Sequence, residues 1–206
     1  MYEKLLDRFF NENAVKNNEI PSAPAFAHFE IKLLLNPDTN EQIQVCMSDL
    51  VFKGHPNREG EVLAERSDIE SATTSTQIIR YMRRHVDPMN HHILVNRAMQ
   101  FEDELIPEVI KMMKTSLNTS FIEAATRVLS VSGMDIADEL IGCFDDVRGS
   151  YARSMILVVL GYKANEAHIP WLIEKHKELK RQYPDESHCD GAYYALLEIE
   201  ARLFPV

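Results

Sequence analysis

The sequence predicts an all-α fold: a short α-solenoid of antiparallel helix pairs, preceded by an irregular, mainly helical N-terminal region. Three observations support this class. Apolar residues recur at helical spacing through the second half of the chain. One five-residue pattern returns twice, at a spacing of about 31 residues. The chain has 206 residues, of which 45% are hydrophobic and 26% charged, so it can bury a core without disulfides or metals.

The repeated pattern is expected at the start of the second helix of each pair. It occupies residues 106–110, 137–141 and 169–173. Its second position holds Pro107, Asp138 or Pro170. Each type suits the first turn of a helix, because a missing N–H costs nothing there and a carboxylate meets the positive end of the helix dipole. We therefore predict all three in first turns.

Helix pairs of this length predict a stacked array, since one pair cannot bury its apolar faces alone. We predict an N-terminal region over residues 1–89 that packs on repeats spanning 90–206. The predicted units are 90–120, 121–151 and 152–184, with a closing helix over 190–203. Gly133 and Gly161 are predicted to end helices in the left-handed conformation.

The N-terminal region has a weaker pattern. Apolar residues at 5–10 predict a first helix. A second helical stripe holds Phe26, Phe29, Leu33 and Leu34 and ends before Pro37. Residues 29–48 fit either a helix, which we favour, or a β-hairpin of 29–35 with 42–48. A further helix over residues 76–86 is predicted to lead into the repeats.

The repeats resemble the HEAT-like family, including the short variety of phycobilin-lyase-like proteins, over about half of the chain, residues 90–200. This resemblance implies an α–α superhelix whose second helices line a concave face. HEAT-like di-iron hydroxylases carry His-Glu dipeptides, and this chain has none, so the resemblance implies no metal site. HEAT-like DNA-repair glycosylases need a basic concave surface, whereas the second helices here are mixed to acidic.

Charge disfavours two classes of partner. The net charge is −10, divided as −4 over residues 1–89 and −6 over 90–206, which opposes nucleic-acid and anionic-membrane binding. Arg80, Arg83 and Arg84 are predicted to share a helix face, so nucleic-acid binding through them is the third alternative, against a solvated face. No apolar run approaches the roughly 20 residues of a membrane span. Three scattered cysteines and no secretory signal predict a cytoplasmic protein.

No catalytic, cofactor or metal site is predicted. His85, His91 and His92 are interpreted as ordinary polar or packed histidines, because adjacent helical positions point about 100° apart. The tripeptide 188–190 combines His, Cys and Asp, but catalytic partners seldom adjoin in sequence. We predict instead that Asp190 caps the last helix.

These features favour a non-enzymatic scaffold that binds another protein or peptide on its concave face. The predicted contact residues are Glu108, Lys111, Glu139, Trp171, Glu174 and Lys175. Trp171 is either a partly exposed anchor for the partner or part of the core. The alternative is a lyase-like or chaperone protein that binds a small ligand in the same groove.

Overall fold

The computed structural model is helical throughout the part of the chain that it describes. It describes residues 1–13, 22–36, 38, 41–42, 45, 48, 52–53 and 55–205, and none of these lies in a strand. The all-α class is therefore confirmed for these residues. Within the ambiguous segment 29–48, the described residues up to 34 belong to a helix, as do positions 38, 41, 42, 45 and 48. The rest of the possible hairpin lies outside the described residues.

Eleven α-helices are defined in the described ranges. They are α1 (Tyr2–Glu12), α2 (Ala23–Leu34), α3 (Pro56–Glu70), α4 (Ser75–Met82), α5 (His91–Met99), α6 (Glu102–Met113), α7 (Thr119–Val131), α8 (Ala137–Cys143), α9 (Ser150–Lys163), α10 (Ile169–Gln182) and α11 (Gly191–Leu203). Short 3-10 turns precede α5, α10 and α11 and follow α8. No helix among the described residues is both long and apolar enough to cross a bilayer.

The chain forms two compact units. The first, called unit 1, consists of Met1–Phe29 and Met134–Val206. The second, called unit 2, is the continuous segment Glu30–Gly133. The predicted domain boundary at residue 89 and the predicted repeat bounds stay predictions.

Unit 1 is organised around α9. Nine of the 14 residues of this helix are buried, because it is apolar around most of its circumference. It packs most extensively on α11, and α11 also contacts α10 and α1. A β-carbon on Gly161 would lie 2.8 Å from Cα of Ala195, so the two helices touch backbone to backbone there.

Unit 2 contains the end of α2 and the helices α3 to α7. Helix α5 contacts α3, α4 and α7, while α6 packs on α4 and α7. A capping box starts α4, since Thr74 and Gln77 satisfy each other's backbone N–H groups. The core of unit 2 includes Ile78, Leu105 and Phe121, none of which is exposed to solvent.

Several helix boundaries correct the sequence predictions. Asp138 and Pro170 lie in first turns, as predicted. Pro107 lies inside α6, because α6 begins at Glu102, where three acidic residues stabilise its N-terminus. The left-handed conformation predicted for Gly133 and Gly161 is wrong, since no described glycine has a positive φ.

Candidate functional site

Two exposed aromatic rings lie on the part of α2 that belongs to unit 1. Phe26 and Phe29 are 59% and 60% exposed, although the sequence places them on the predicted helical stripe. The buried side of the helix instead holds Pro24 and Ala27 and, one turn later, Ile31. The helix therefore has two apolar faces, of which one is buried and the other, with Phe26 and Phe29, is exposed to solvent. We call Phe26 and Phe29 the aromatic pair.

A small, partly enclosed space in unit 2 is lined by both polar and aliphatic side chains. It has a volume of about 60 Å³ and lies where α5 and α7 meet the segment that follows α4. We call it the polar cavity. Its polar lining consists of Arg84, His85, His91, Ser120, Glu123 and Arg127.

The carboxylate of Glu30 contacts two of the side chains that line the cavity, His91 and Arg127. Oε1 of Glu30 lies 2.5 Å from Nδ1 of His91, and Oε2 lies 2.6 Å from Nε of Arg127. Nε2 of His91 faces the carbonyl oxygen of Val86 at 3.1 Å. Both ring nitrogens of His91 therefore face acceptor oxygens. The side chains of His91 and Arg127 are only 16% and 12% exposed, so this network is largely buried.

This network also sets the ionisation of Glu30. Burial by itself would raise the pKa of Glu30, but the hydrogen bond from His91 and the charge of Arg127 outweigh it. The net effect lowers the pKa below its ordinary value, so the carboxylate stays ionised. The interpretation of His91 as an ordinary polar or packed histidine did not include its contact with Glu30, which lies 61 positions away.

The neighbouring histidines differ from His91. His85 is exposed and lines the polar cavity as well as a larger open groove with a volume of about 530 Å³. His92 is half-buried, and burial lowers its pKa, assisted by the positive charge of Arg66. Only His91 among the three belongs to the ion-pair network.

A third cluster lies before α11 in unit 1. Nε2 of His188 lies 2.5 Å from Oε2 of Glu186 and 3.1 Å from Oγ of Ser150. A catalytic triad needs the carboxylate on the nitrogen opposite the one that meets the hydroxyl. Here both partners share one nitrogen, so these three residues do not have triad geometry.

The same cluster has the donor types of a metal site. One ligand atom each from Glu186, His188 and Cys189 lies within 4.8 Å of the other two. Thiolate, imidazole and carboxylate are all ligands of zinc. Burial of Cys189, however, raises the pKa of its thiol to about 11. A metal would therefore have to displace a firmly held proton.

Asp190 does not cap α11 as predicted. It occupies the N-cap position, but its side chain makes no capping hydrogen bond. Instead, Oδ1 of Asp190 lies 2.6 Å from Nζ of Lys180 on α10. The carboxylate is therefore engaged by Lys180 and not by the backbone N–H groups of the helix.

The six predicted contact residues fall in both units. Glu108 and Lys111 lie on α6 in unit 2, are exposed, and pair with each other at 3.4 Å. Glu139 is exposed on α8. Glu174 is exposed on α10, where it pairs with Lys177 at 3.0 Å. These four side chains are solvated and polar.

Trp171 and Lys175 belong to one packed group on unit 1. The Trp171 ring meets the Phe144 ring edge-on, with centroids 5.2 Å apart. Nζ of Lys175 lies 5.7 Å from the centre of the Trp171 ring and binds Asp145 at 2.9 Å and Glu178 at 3.0 Å. Trp171 is thus half-buried, between the two alternatives of core and exposed anchor.

The predicted arginine face lies only partly on a helix. Helix α4 ends at Met82, with Arg83 as its C-cap residue in helical backbone geometry, so Arg84 lies beyond the helix. Arg84 instead lies over the Tyr81 ring, 5.6 Å from its centre. The helical spacing assumed for a phosphate contact therefore holds for Arg80 and Arg83 and does not extend to Arg84.

Sequence patterns held partial signals for the features that were missed. Arg127 stands between buried alanines and aliphatic residues on α7, which marks a charged group that needs a buried partner. Its partner Glu30 is 97 positions away, so the pair itself is invisible in sequence. The second apolar face of α2 was readable from Pro24, Ala27 and Ile31.

Comparison with known proteins adds no assignment: no family model, curated protein or solved structure matches this chain.

Proposed function

We propose that this chain is a non-enzymatic interaction module that binds another protein or peptide. One observation carries the proposal: the aromatic pair, Phe26 and Phe29, is well exposed on a helix whose other apolar face is buried. Large aromatic side chains are typical anchors of protein interfaces, because they bury a large area at a small entropic cost. Two such rings at positions i and i+3 form one ridge that a partner can cover.

The HEAT-like array and its concave contact surface belong to the same proposal. Glu108, Lys111, Glu139 and Glu174 supply solvated charges of both signs, which suit the polar rim of an interface. Trp171 is a weaker anchor than the aromatic pair, since its ring already packs on Phe144. A cytoplasmic location is the expected setting for this module.

The test is quantitative affinity capture from lysate of the native host, with chemical cross-linking to place the contact. The bait is the wild-type chain, the double variant Phe26→Ser/Phe29→Ser, or the control Leu117→Ser. Leu117 is 76% exposed in unit 2, so its replacement by serine removes one exposed apolar side chain at a distance in sequence from the aromatic pair. We expect a partner that binds the wild type and the control, is lost from the double variant and cross-links near α2.

Light scattering of the purified chain completes this test. A monomer–dimer equilibrium that the double variant abolishes would show that the aromatic pair joins two copies, rather than a copy and a partner. Equal capture of every bound protein by all three baits would refute the proposal.

A second function, binding of a small ligand, is favoured by the polar cavity. The cavity is far smaller than the roughly 300–1,000 Å³ pockets that enclose drug-sized ligands. It therefore suits a small molecule or a head group. Titration of the wild-type chain with small charged metabolites, observed by protein NMR, tests this function independently of protein capture.

A further inference from the structure

Arg127 combines a fixed position with an open end. Its Nε donates to Glu30 at 2.6 Å, and its side chain is only 12% exposed. Its terminal Nη2 lies 4.0 Å from Oε2 of Glu123, beyond hydrogen-bond distance. Among the described residues, Glu123 is the ion-pair partner of the terminal nitrogens, and neither of these nitrogens makes a hydrogen bond. A guanidinium held on one side and open on the other is preorganised to bind a planar anion with two parallel hydrogen bonds.

The N-terminus of α7 adds a second source of positive potential. Asn118 caps this 13-residue helix by accepting from the Phe121 N–H at 2.8 Å. The N–H groups of Thr119 and Ser120 belong to the first turn, where no intrahelical acceptor exists. Ser120 lines the polar cavity, so its hydroxyl stands at the positive end of the helix dipole.

Among the described residues that line the cavity, two arginines stand against one carboxylate. The arginines are Arg84 and Arg127, and the carboxylate is that of Glu123, while Glu30 holds Arg127 from behind. Arg84 is exposed and contacts only the Tyr81 ring among the described residues. In a chain of net charge −10, this local excess of positive charge indicates an anionic ligand.

The remaining walls of the cavity are aliphatic. They consist of Val86, Leu94, Val95 and Ala124. The volume of about 60 Å³ holds about four to six water molecules, so a ligand of the cavity must be small, such as a carboxylate with a short alkyl chain. Glu123 at the rim disfavours a second negative charge on the ligand, so a monoanion suits the cavity better than a phosphate dianion.

We propose that the polar cavity binds the carboxylate of a small aliphatic organic acid, with Arg127 and Arg84 on the carboxylate and the aliphatic walls on the alkyl chain. This inference rests on the second function above, small-ligand binding, and is independent of the protein-binding proposal. The Glu30 network serves as the support that positions Arg127, because it fixes Nε and leaves the terminal nitrogens available.

The experiment is calorimetric titration of the full chain with acetate, butyrate, inorganic phosphate and butylamine, confirmed by amide chemical-shift changes. We expect butyrate to bind more tightly than acetate, since its chain reaches the aliphatic walls. Butylamine, which has the same chain with the opposite charge, is expected not to bind.

Three variants locate the site. Arg84→Gln is expected to weaken butyrate binding at least about fivefold by removing one charged contact. Ala124→Leu fills the cavity without changing any charge and is expected to abolish binding. Arg83→Gln is the matched control, because Arg83 is an exposed neighbour that does not line the cavity, and its affinity is expected to equal that of the wild type. Circular dichroism verifies that each variant is folded.

The outcomes separate the inference from the function on which it rests. Butyrate binding that is equal in all four proteins would place the ligand elsewhere and overturn the inference. Tight phosphate binding that displaces butyrate would overturn the carboxylate assignment and keep the cavity as a ligand site. Absence of binding by all four probes would overturn the inference, while the broader metabolite titration would still decide small-ligand binding.

Discussion

A β-carbon on Gly161 of α9 would lie 2.8 Å from Cα of Ala195 on α11, closer than real β-carbons approach other atoms. Its second and third neighbours would be the Ala195 carbonyl oxygen at 3.2 Å and Cβ of Glu198 at 3.3 Å. Because two of the three are backbone atoms, rotation of a side chain cannot relieve the clash. Gly161 is thus required by helix packing, not by a helix end.

We predict that Gly161→Ala lowers the free energy of unfolding by about 1–3 kcal/mol, since α9 and α11 must separate. Gly60→Ala is the control, because Gly60 lies within α3 and its added β-carbon would meet nothing within 4 Å. That variant is expected to gain about 0.5–1 kcal/mol from helix propensity. Guanidinium unfolding monitored by circular dichroism measures both; a neutral Gly161→Ala would contradict the close approach.

The Glu30 network predicts acid sensitivity. The pKa of Glu30 is lowered from its ordinary value of 4.5, so its contribution is complete above pH 4.5 and is lost as the pH falls through the folded-state value. At neutral pH we expect Glu30→Gln to cost about 1–3 kcal/mol, because Arg127 and His91 lose a partly buried partner. This cost is expected to shrink below pH 4.

Glu12→Gln provides the comparison for Glu30. Glu12 pairs with Arg8 at 2.8 Å on the surface, where both side chains are more than half exposed. We expect it to change stability little at any pH. Unfolding curves of the wild type and both variants at pH 7 and pH 3.5 measure the difference. A pH-independent effect of Glu30→Gln would show that its carboxylate is not ionised in the folded chain.

We predict that His176 causes a second loss of folding stability in acid, at higher pH than the loss caused by Glu30. It is 5% exposed on α10, its ring meets Phe9 edge-on, and burial lowers its pKa from 6.5 to about 4, assisted by the charge of Lys180. The unfolded chain binds this proton below pH 6.5, whereas the folded chain resists it until about pH 4. Stability therefore falls as the pH drops between these values.

Replacing His176 tests this second response. His176→Leu is expected to remove a destabilisation on the order of 3 kcal/mol that the wild type accumulates between pH 7 and pH 4. His55→Leu changes an exposed histidine before α3. This variant is expected to lose stability in acid to the same extent as the wild type. Unfolding free energies measured at half-unit pH steps give the comparison. An equal response in all three proteins would refute the neutral, buried state of His176.

We predict that the thiol of Cys189 resists chemical modification in the folded chain. It has no solvent exposure, and its thiol pKa of about 11 leaves about a thousandth of it as thiolate at pH 8. In a Cys46→Ser background, we expect Cys189 and the buried Cys143 to react with a disulfide reagent only when denaturant is added. Absorbance of the released thiolate follows both reactions. Rapid release of one equivalent from the folded chain, absent in Cys189→Ser, would contradict the buried thiol.

Helix identity was predictable because the signal is local. Apolar spacing and first-turn residues placed α8 and α10 correctly, and Asp138 and Pro170 are where the pattern predicts them. The same pattern failed at Pro107, because the acidic residues Glu102–Glu104 start α6 earlier than the proline does. Competing start signals cannot be ranked from one sequence.

The candidate sites were less predictable, since each depends on contacts distant in sequence. The sequence of α2 has two apolar faces and does not show which of them is buried. Phe26 and Phe29 belong to the stripe that the spacing predicts, but the structure buries the other face. Glu30 and Arg127 meet across 97 positions, and no local pattern links them.

The sequence by itself therefore determined the all-α class, the helices of the second half and an acidic chain without a catalytic motif, because periodicity, capping and charge are properties of neighbouring residues. Only the tertiary structure decided which face of α2 is exposed, which charges meet around Arg127 and why residue 161 is a glycine. Those outcomes depend on which residues distant in sequence pack against each other. Packing determines where a β-carbon has room, and burial determines the free-energy cost of each charge.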